Sequence, residues 1–384
     1  MKRNKFLATL ALVSVGAIAL AGCSAETGGA TTDPSSSTAS IDLASFEQRV
    51  DAWSTAPQPW AGPDSTPTPP KGTKLAIVSC SGIVAGCAAQ AAGAEEAAKA
   101  LGWDVTVYDG KGDPVTQNQA VVQAVNSGVD AIILASTDRV LVQSGLALAS
   151  ERGIPVGSTG LGSAASDSVL YDVGPDFFEM GRAMAAWVVV DSGGKANILF
   201  TDNKEFESTG QITSAFAEVI KECSTCVLSD PVQFTVSEVG NGLGSRIAGL
   251  LQTMPNVDYV MGAFNAPAAD MVNGITNFGL ADRVKVVAAV GGEQNLQFVK
   301  EGNVQAMDAA QDNRYMGFAA VDQMIRVLTD NPLWEDPQAT SEETKYAQHV
   351  PIKLFTTDNI TSTSEWVADN GYDKEYFALW GVKP

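Results

Sequence analysis

Residues 74–136 read KLAIVSCSGIVAGCAAQAAGAEEAAKALGWDVTVYDGKGDPVTQNQAVVQAVNSGVDAIILAS, and this stretch decides the fold class. Leu75–Ser79 is a short apolar run, followed by Gly/Ala-rich helical sequence to Leu101. Val105–Tyr108 is a second strand-like run, a helical period covers 115–127, and Ala131–Ala135 is a third strand. Short strands alternating with helices predict a parallel sheet, because parallel neighbours need a crossover long enough to hold a helix. The first and third runs are apolar throughout rather than alternating, as expected of strands covered on both faces.

Working outward, the alternation continues with a helix over 139–152 and strands over 154–156 and 169–173. It then restarts: strand 196–200, helix 208–221, strand 226–229, helix 243–253, strand 257–262, helix 266–278, strand 284–290, helix 294–301, strand 304–308 and helix 313–329. Two such runs predict an α/β chain of two doubly wound, Rossmann-like parallel-sheet lobes. Ligands of such sheets bind beyond the carboxyl ends of the strands, so two facing sheets would surround one cleft with those loops. The 384 residues, 45% hydrophobic and 18% charged, are ample for two domains.

Toward the N-terminus, Lys2, Arg3 and Lys5 precede the apolar run Phe6–Leu20. That run is shorter than the ~20 residues of a spanning helix. It ends in Leu20-Ala21-Gly22-Cys23, which resembles the lipobox of bacterial lipoproteins. The resemblance implies a signal peptide over 1–22 and lipid on Cys23, anchoring the chain outside the cell membrane. Residues 23–40 are small and polar, a flexible tether. Leu43, Phe46, Val50 and Trp53 recur at helical spacing and predict a helix over 41–54. A Pro/Trp segment continues to 72, with Trp60 expected to pack on the body.

The net charge is −20, or −23 without Lys2, Arg3 and Lys5. Such a body is repelled by phosphate backbones, which argues against nucleic-acid partners. With Cys23 lipidated, Cys80, Cys87, Cys223 and Cys226 remain. In an oxidising compartment they read as two local disulfides, Cys80–Cys87 and Cys223–Cys226. The competing zinc reading needs both pairs to converge tetrahedrally. Cys223-x-x-Cys226 ends a helix, so it reads as a structural clip rather than a redox pair. The single histidine, His349, gives no cluster for a metal and little basis for a Ser–His–Asp triad. No catalytic residue, metal or cofactor is expected; the chain reads as a binder, not an enzyme.

Several short motifs occur in order: Asp113-Pro114 with Gln117, Gly128-Val129-Asp130-Ala131-Ile132-Ile133, Gly153-Ile154-Pro155-Val156, Val173-Gly174-Pro175-Asp176 with Gly181-Arg182, Ala310-Gln311-Asp312 with Gly317, and Leu379-Trp380-Gly381. Over residues 74–384 the chain resembles the type I periplasmic binding proteins, in their sugar-binding branch. The resemblance implies chain crossings near 174–177, 309–312 and 350–355. Lobe 1 would comprise 73–175 plus 312–351, and lobe 2 would comprise 176–311 plus 352–384. It also implies a monomer that captures a small molecule for an ABC transporter permease; the alternative is a sensor presenting its ligand to a membrane receptor.

Carried over position by position, the resemblance implies a depolarised pocket. The acid–base dyad after the fourth strand is Gly160-Leu161, and the amide after the crossover aspartate is Phe177. The arginine on the following helix is Ile212, ahead of Ala215-Phe216, and the aspartate after the ninth strand is Gly291. Asn265, now followed by Ala266, and Gln311 remain. An unpaired ligand hydroxyl loses ~1–3 kcal/mol. The expected ligand is therefore not a simple hexose but a sugar derivative or an aromatic, terpenoid or steroid-like compound. Expected contacts are Ser81, Gly82 and Ile83, held by Cys80–Cys87; Thr137 and Asp138; Ser158, Thr159 and Gly160; Phe177; Asn203, Phe206, Phe234, Phe264 and Asn265; Gly291; and Gln311.

Overall fold

The computed structural model describes residues 41–383; the leader, Cys23 and the tether lie outside them. The described chain opens with helix α1 (Ala44–Ser54). One sheet then follows: β1 (Lys74–Ser79), α2 (Ala85–Ala100), β2 (Asp104–Asp109), α3 (Pro114–Asn126), β3 (Ala131–Ala135), α4 (Gln143–Glu151), β4 (Val156–Thr159) and β5 (Asp172–Val173). Its strands are parallel in the order β2-β1-β3-β4-β5. Central β1 and β3 are apolar and buried because helices cover both faces, whereas edge strand β2 is largely exposed.

The second sheet begins after α5 (Phe177–Asp191). It contains β6 (Asn197–Asp202), α6 (Glu207–Glu222), β7 (Val227–Leu228), β8 (Val232–Gln233), α7 (Leu243–Thr253), β9 (Tyr259–Met261), α8 (Asn265–Asn277), β10 (Lys285–Val290), α9 (Glu293–Lys300) and β11 (Gln305–Gln311). The chain returns to the first sheet as α10 (Asn313–Leu328) and comes back as β12 (Ile352–Thr356), the one antiparallel member, on β11. The order is β12-β11-β10-β9-β6-β7, with β8 also pairing with β6. Among the described residues no helix is long and apolar enough to cross a membrane.

Glycine sets the closeness of the α2–α10 pair. A Cβ on Gly93 would strike the backbone of Arg314, and one on Gly317 the backbone of Gly93 and Ala94. Lobe 1 thus joins the returning helix α10 to its first helix α2 by backbone-to-backbone packing, which only glycine permits.

Several expectations need correction. The C-terminal tail does not stay in lobe 2. After β12 the chain crosses again, and α11 (Tyr372–Trp380) packs into lobe 1. Tyr372, Tyr376, Phe377 and Trp380 lie on one helical face and bury against Tyr315 and Phe318 of α10. The expected strand 154–156 lies later, at Val156–Thr159. Gly157-Ser158-Thr159 lacks apolar weight, but it is buried, and Gly157 makes room for the Tyr171 ring. Strand 169–173 shrinks to Asp172–Val173, and helix 139–152 is split by a 3-10 turn at Arg139–Leu141. Helix α5, to which the sequence reading assigns no element, is buried too broadly to show a clean amphipathic period.

Candidate functional site

The carboxyl ends of β1, β3 and β4 form the lobe-1 wall of the cleft. After β1 the chain makes a loop closed by the Cys80–Cys87 disulfide, with Cα atoms 5.7 Å apart. Asp109 fastens the loop by accepting from Gly82 N (2.7 Å) and from Lys111 N (2.8 Å). Those backbone donors, Lys111 first, hold its carboxyl below the usual range. The loop tip is unclad: Ile83 is 94% exposed and Val84 is also exposed.

Behind the loop lies a polar network that the sequence reading missed. Gln90 of α2 accepts through Oε1 from Ser136 Oγ (2.9 Å) and Thr159 Oγ1 (2.7 Å), and its Nε2 donates to Asn313 Oδ1 (2.9 Å). Asn313 also accepts from Gln311 Nε2 (3.0 Å) and donates to Glu365 Oε1 (2.6 Å). Burial raises the Glu365 carboxyl above its usual range. Gln311 Oε1 is buried and has no partner. One signal was available: Gln90 is a polar residue among the buried alanines of α2. Deeper, Asp172 Oδ2 accepts from the backbone N–H groups of Leu161, Gly162 and Ser163 and so shapes the turn after β4. Burial pushes Asp172 up to about 6, against the pull of those donors and of Ser158.

The lobe-2 wall is aromatic. Phe206 ends the β6 loop, Phe234 follows β8 and Phe264 follows β9. Phe206 and Phe264 meet edge to face at 5.9 Å, and Phe234 lies 6.4 Å from Phe264. Phe206 and Phe264 are half-buried, whereas Phe234 is buried. Asn265 keeps its Nδ2 beside Gly292. At the end of β10, Val290 and Gly291 take φ of 85° and 70°. This left-handed pair is unusual for a β-branched residue. Gln305 Nε2 donates to Asp308 Oδ2 (2.8 Å), and the other oxygen, Oδ1, is buried and unpaired. Burial pushes Asp308 up to about 7.

The lobes already touch near the first crossing. Ser163 Oγ donates to Glu207 Oε2 (2.5 Å), Gln211 Nε2 donates to Gly162 O (2.6 Å), and Arg139 lies 3.7 Å from Glu207.

These positions sort the expected contacts. Ile83, Gly160, Phe206, Phe264, Asn265, Gly291 and Gln311 sit at strand ends with exposed surface, free valence or close backbone. Ser81 is buried in the disulfide loop beneath exposed Gly82. Seven expected contacts are instead buried or engaged within the protein, among them Thr159, which donates to Gln90 Oε1, and Phe234, which is buried in the lobe-2 core. Phe177 is only 2% exposed and packs against Gly162 and Gly174 in the lobe-2 core, because the first residue of α5 points inward. Thr137 donates to Val78 O and Ser158 to Asp172 Oδ1. Asp138 caps the 3-10 turn through Val140 N. Asn203 is fully engaged with Glu205 and Phe234 O. The Ile212 register is also corrected. Ile212 and Phe216 face α5 in the core, and the α6 side chains that reach lobe 1 are Glu207 and Gln211. Cys223 and Cys226 are bridged at the far end of lobe 2, where Cys223 Sγ and Thr225 Oγ1 reach Gly194 O.

Residues 81–332 match the model of the periplasmic binding protein domain. The chain belongs to that family. No curated protein sequence matches the chain. Periplasmic-binding-protein folds of known structure superpose on it well. An ABC transporter solute binding protein from Agrobacterium vitis, bound with alpha-D-tagatopyranose, is 20% identical with a TM-score of 0.64 and covers 75% of this chain and 96% of its own. The 5-methylthioribose transporter solute binding protein from Thermotoga lettingae is 18% identical with a TM-score of 0.64, covering 83% and 97%. A glucose-galactose binding protein from Geobacillus stearothermophilus is 16% identical with a TM-score of 0.63, covering 76% and 99%. At these identities the likeness establishes the two-lobed periplasmic-binding-protein fold.

Proposed function

We propose that this chain is an extracytoplasmic solute-binding lipoprotein that closes its lobes around a small molecule and delivers it to the permease of an ABC importer. Membership of the periplasmic binding protein family supports the solute-binding role, and the lipobox-like Leu20-Ala21-Gly22-Cys23 supports anchoring. The ligand is less polar than a simple hexose: a sugar derivative or an aromatic, terpenoid or steroid-like ring compound. One observation carries this reading. The lobe-2 strand ends present Phe206 and Phe264, while much of the polar lobe-1 network is already paired within the protein. A ring with an apolar face and one or two polar edges fits that arrangement. Gln311 Oε1 and Asn265 Nδ2 are the groups left to orient it. Ligand contacting both lobes favours the closed form and shifts the population toward it.

The test is a thermal-shift screen of residues 41–384 against hexoses, 5-methylthioribose, aromatic acids and steroids. A true ligand at 100 times its dissociation constant adds ~2.7 kcal/mol of stability. Stabilisation by hexoses alone would overturn the low-polarity assignment. Anchoring is tested by Cys23→Ala, which should release the protein from membranes or block its processing; unchanged retention together with unchanged processing rejects it.

A further inference from the structure

We propose that residues 41–73 form a strut fixed to both lobes that limits how far they open. This rests on the lobe-closure reading above but concerns a part of the chain outside the family match, which begins at residue 81.

The first half of this segment belongs to lobe 2. Phe46 is buried in the lobe-2 core, with Val50 and Trp53 packed beside it. Arg49 pairs with Glu222 at 3.2 Å, and Trp53 Nε1 donates to Glu179 Oε1 of α5 at 3.0 Å. Ile41 and Leu43 lie against Gly194 at the amino end of β6, far from the cleft.

The second half belongs to lobe 1. Trp60 packs edge-on against Tyr376 at 4.8 Å and beside Tyr315. Thr66 Oγ1 donates to Asp322 of α10 at 2.5 Å, and Arg326 Nη2 donates to Ser65 O at 2.5 Å. Asp322 is fully buried and also accepts from Arg326, from Gln348 and from Trp380 Nε1. One carboxylate thus ties the strut, the approach to the third crossing and the C-terminal helix to α10.

Between these anchors the segment is pinned at the hinge. Gln58 Nε2 donates to Ile352 O at 2.5 Å, and Ser54 O accepts from Asn359. From Ser54 to Trp60 a fully extended chain spans only about 20 Å. Prolines 57, 59, 63, 67, 69 and 70 make the stretch a semi-rigid spacer rather than a slack tether. A second segment braces the same place. Thr340 Oγ1 of the loop after α10 donates to Asp176 Oδ2 at the first crossing (2.5 Å). Together with Trp53, this loop encloses a cavity of about 260 Å³. The lobes are therefore joined at the three crossings near 174–177, 311–313 and 350–352, by the return to α11, and by this strut. Each added connection between two rigid bodies removes rotational freedom about the others.

The deciding experiment severs the strut while leaving both anchors in place. A protease site is inserted in the exposed stretch Thr55–Pro57, and the ligand-free protein carries spin labels at Val115→Cys on lobe 1 and Phe278→Cys on lobe 2. After cleavage the inter-lobe distance should lengthen by more than about 2 Å and its distribution broaden. In the uncut chain, Gln58→Ala with Thr66→Val should move it part of the way. Superimposable distributions before and after complete cleavage overturn the strut. No ligand is present, so that failure leaves the binding assignment standing. A ligand hit that stabilises the protein without shortening the distance would instead refute lobe closure.

Discussion

The two walls of the cleft grow from the same strand–helix plan but meet it with different chemistry. Lobe 1 presents small hydroxyls and amides, and these are largely spent on one another: Gln90 holds Ser136, Thr159 and Asn313 together. Lobe 2 presents Phe206, Phe234 and Phe264 packed on one another at its strand ends, with Asn203 beside them spent on Glu205 and Phe234 O. A polar residue at a strand end is therefore no guide to ligand contact, since a buried polar group must first satisfy itself. A half-buried aromatic has no such internal claim on it and remains available for apolar contact.

The contrast can be broken most strongly at Phe177, which belongs to the core rather than to either wall. Phe177→Ala should remove ~3–5 kcal/mol of stability through the cavity it leaves, read by denaturant unfolding. Affinity for the compound found by thermal shift should change less than tenfold. A large affinity loss with unchanged stability would return Phe177 to the binding wall. Next in size, Phe264→Ala strips the aromatic wall and should weaken that compound ten- to hundredfold, ~1.4–2.8 kcal/mol, measured by titration calorimetry. Equal binding by wild type and variant would mean that lobe 2 is no more apolar to the ligand than lobe 1.

The smallest effect is a pH dependence shared by both walls. Burial raises Asp172 to about 6, Asp308 to about 7 and Asp312 at the second crossing to about 6. Each folded-state value lies above the unfolded one, so the fold binds these protons more tightly. Their contribution is present below about pH 4 and is lost as pH rises through 6 to 7. The melting temperature should fall by a few degrees between pH 5 and pH 8. Asp308→Asn should flatten the upper part of that slope. A melting temperature that rises over this interval would show that these carboxyls are already ionised in the fold.

Much of this molecule was legible in its letters. The alternation from Leu75 onward marked strands and helices to within a few residues, because a strand buried on both faces must be apolar throughout. Lobe-2 helices such as Leu243–Thr253 carried clear amphipathic periods. The misreadings came where local chemistry and tertiary demand diverged. Gly157-Ser158-Thr159 does not read as a buried strand until the Tyr171 ring above Gly157 is known. Gln90 and Asn313 lie more than two hundred residues apart, and no local spacing links them.

By itself, the sequence determined the two-lobed α/β plan and placed the strand-end loops, since hydrophobic periodicity and turn residues are local properties of the chain. Tertiary structure alone decided which strand-end groups remain free, that α11 returns to lobe 1 beside Phe318, and that the segment from Phe46 to Thr66 grips both lobes. Those outcomes depend on which buried donors and aromatic faces meet after the chain has crossed between lobes. A linear spacing cannot encode partners that only packing brings together.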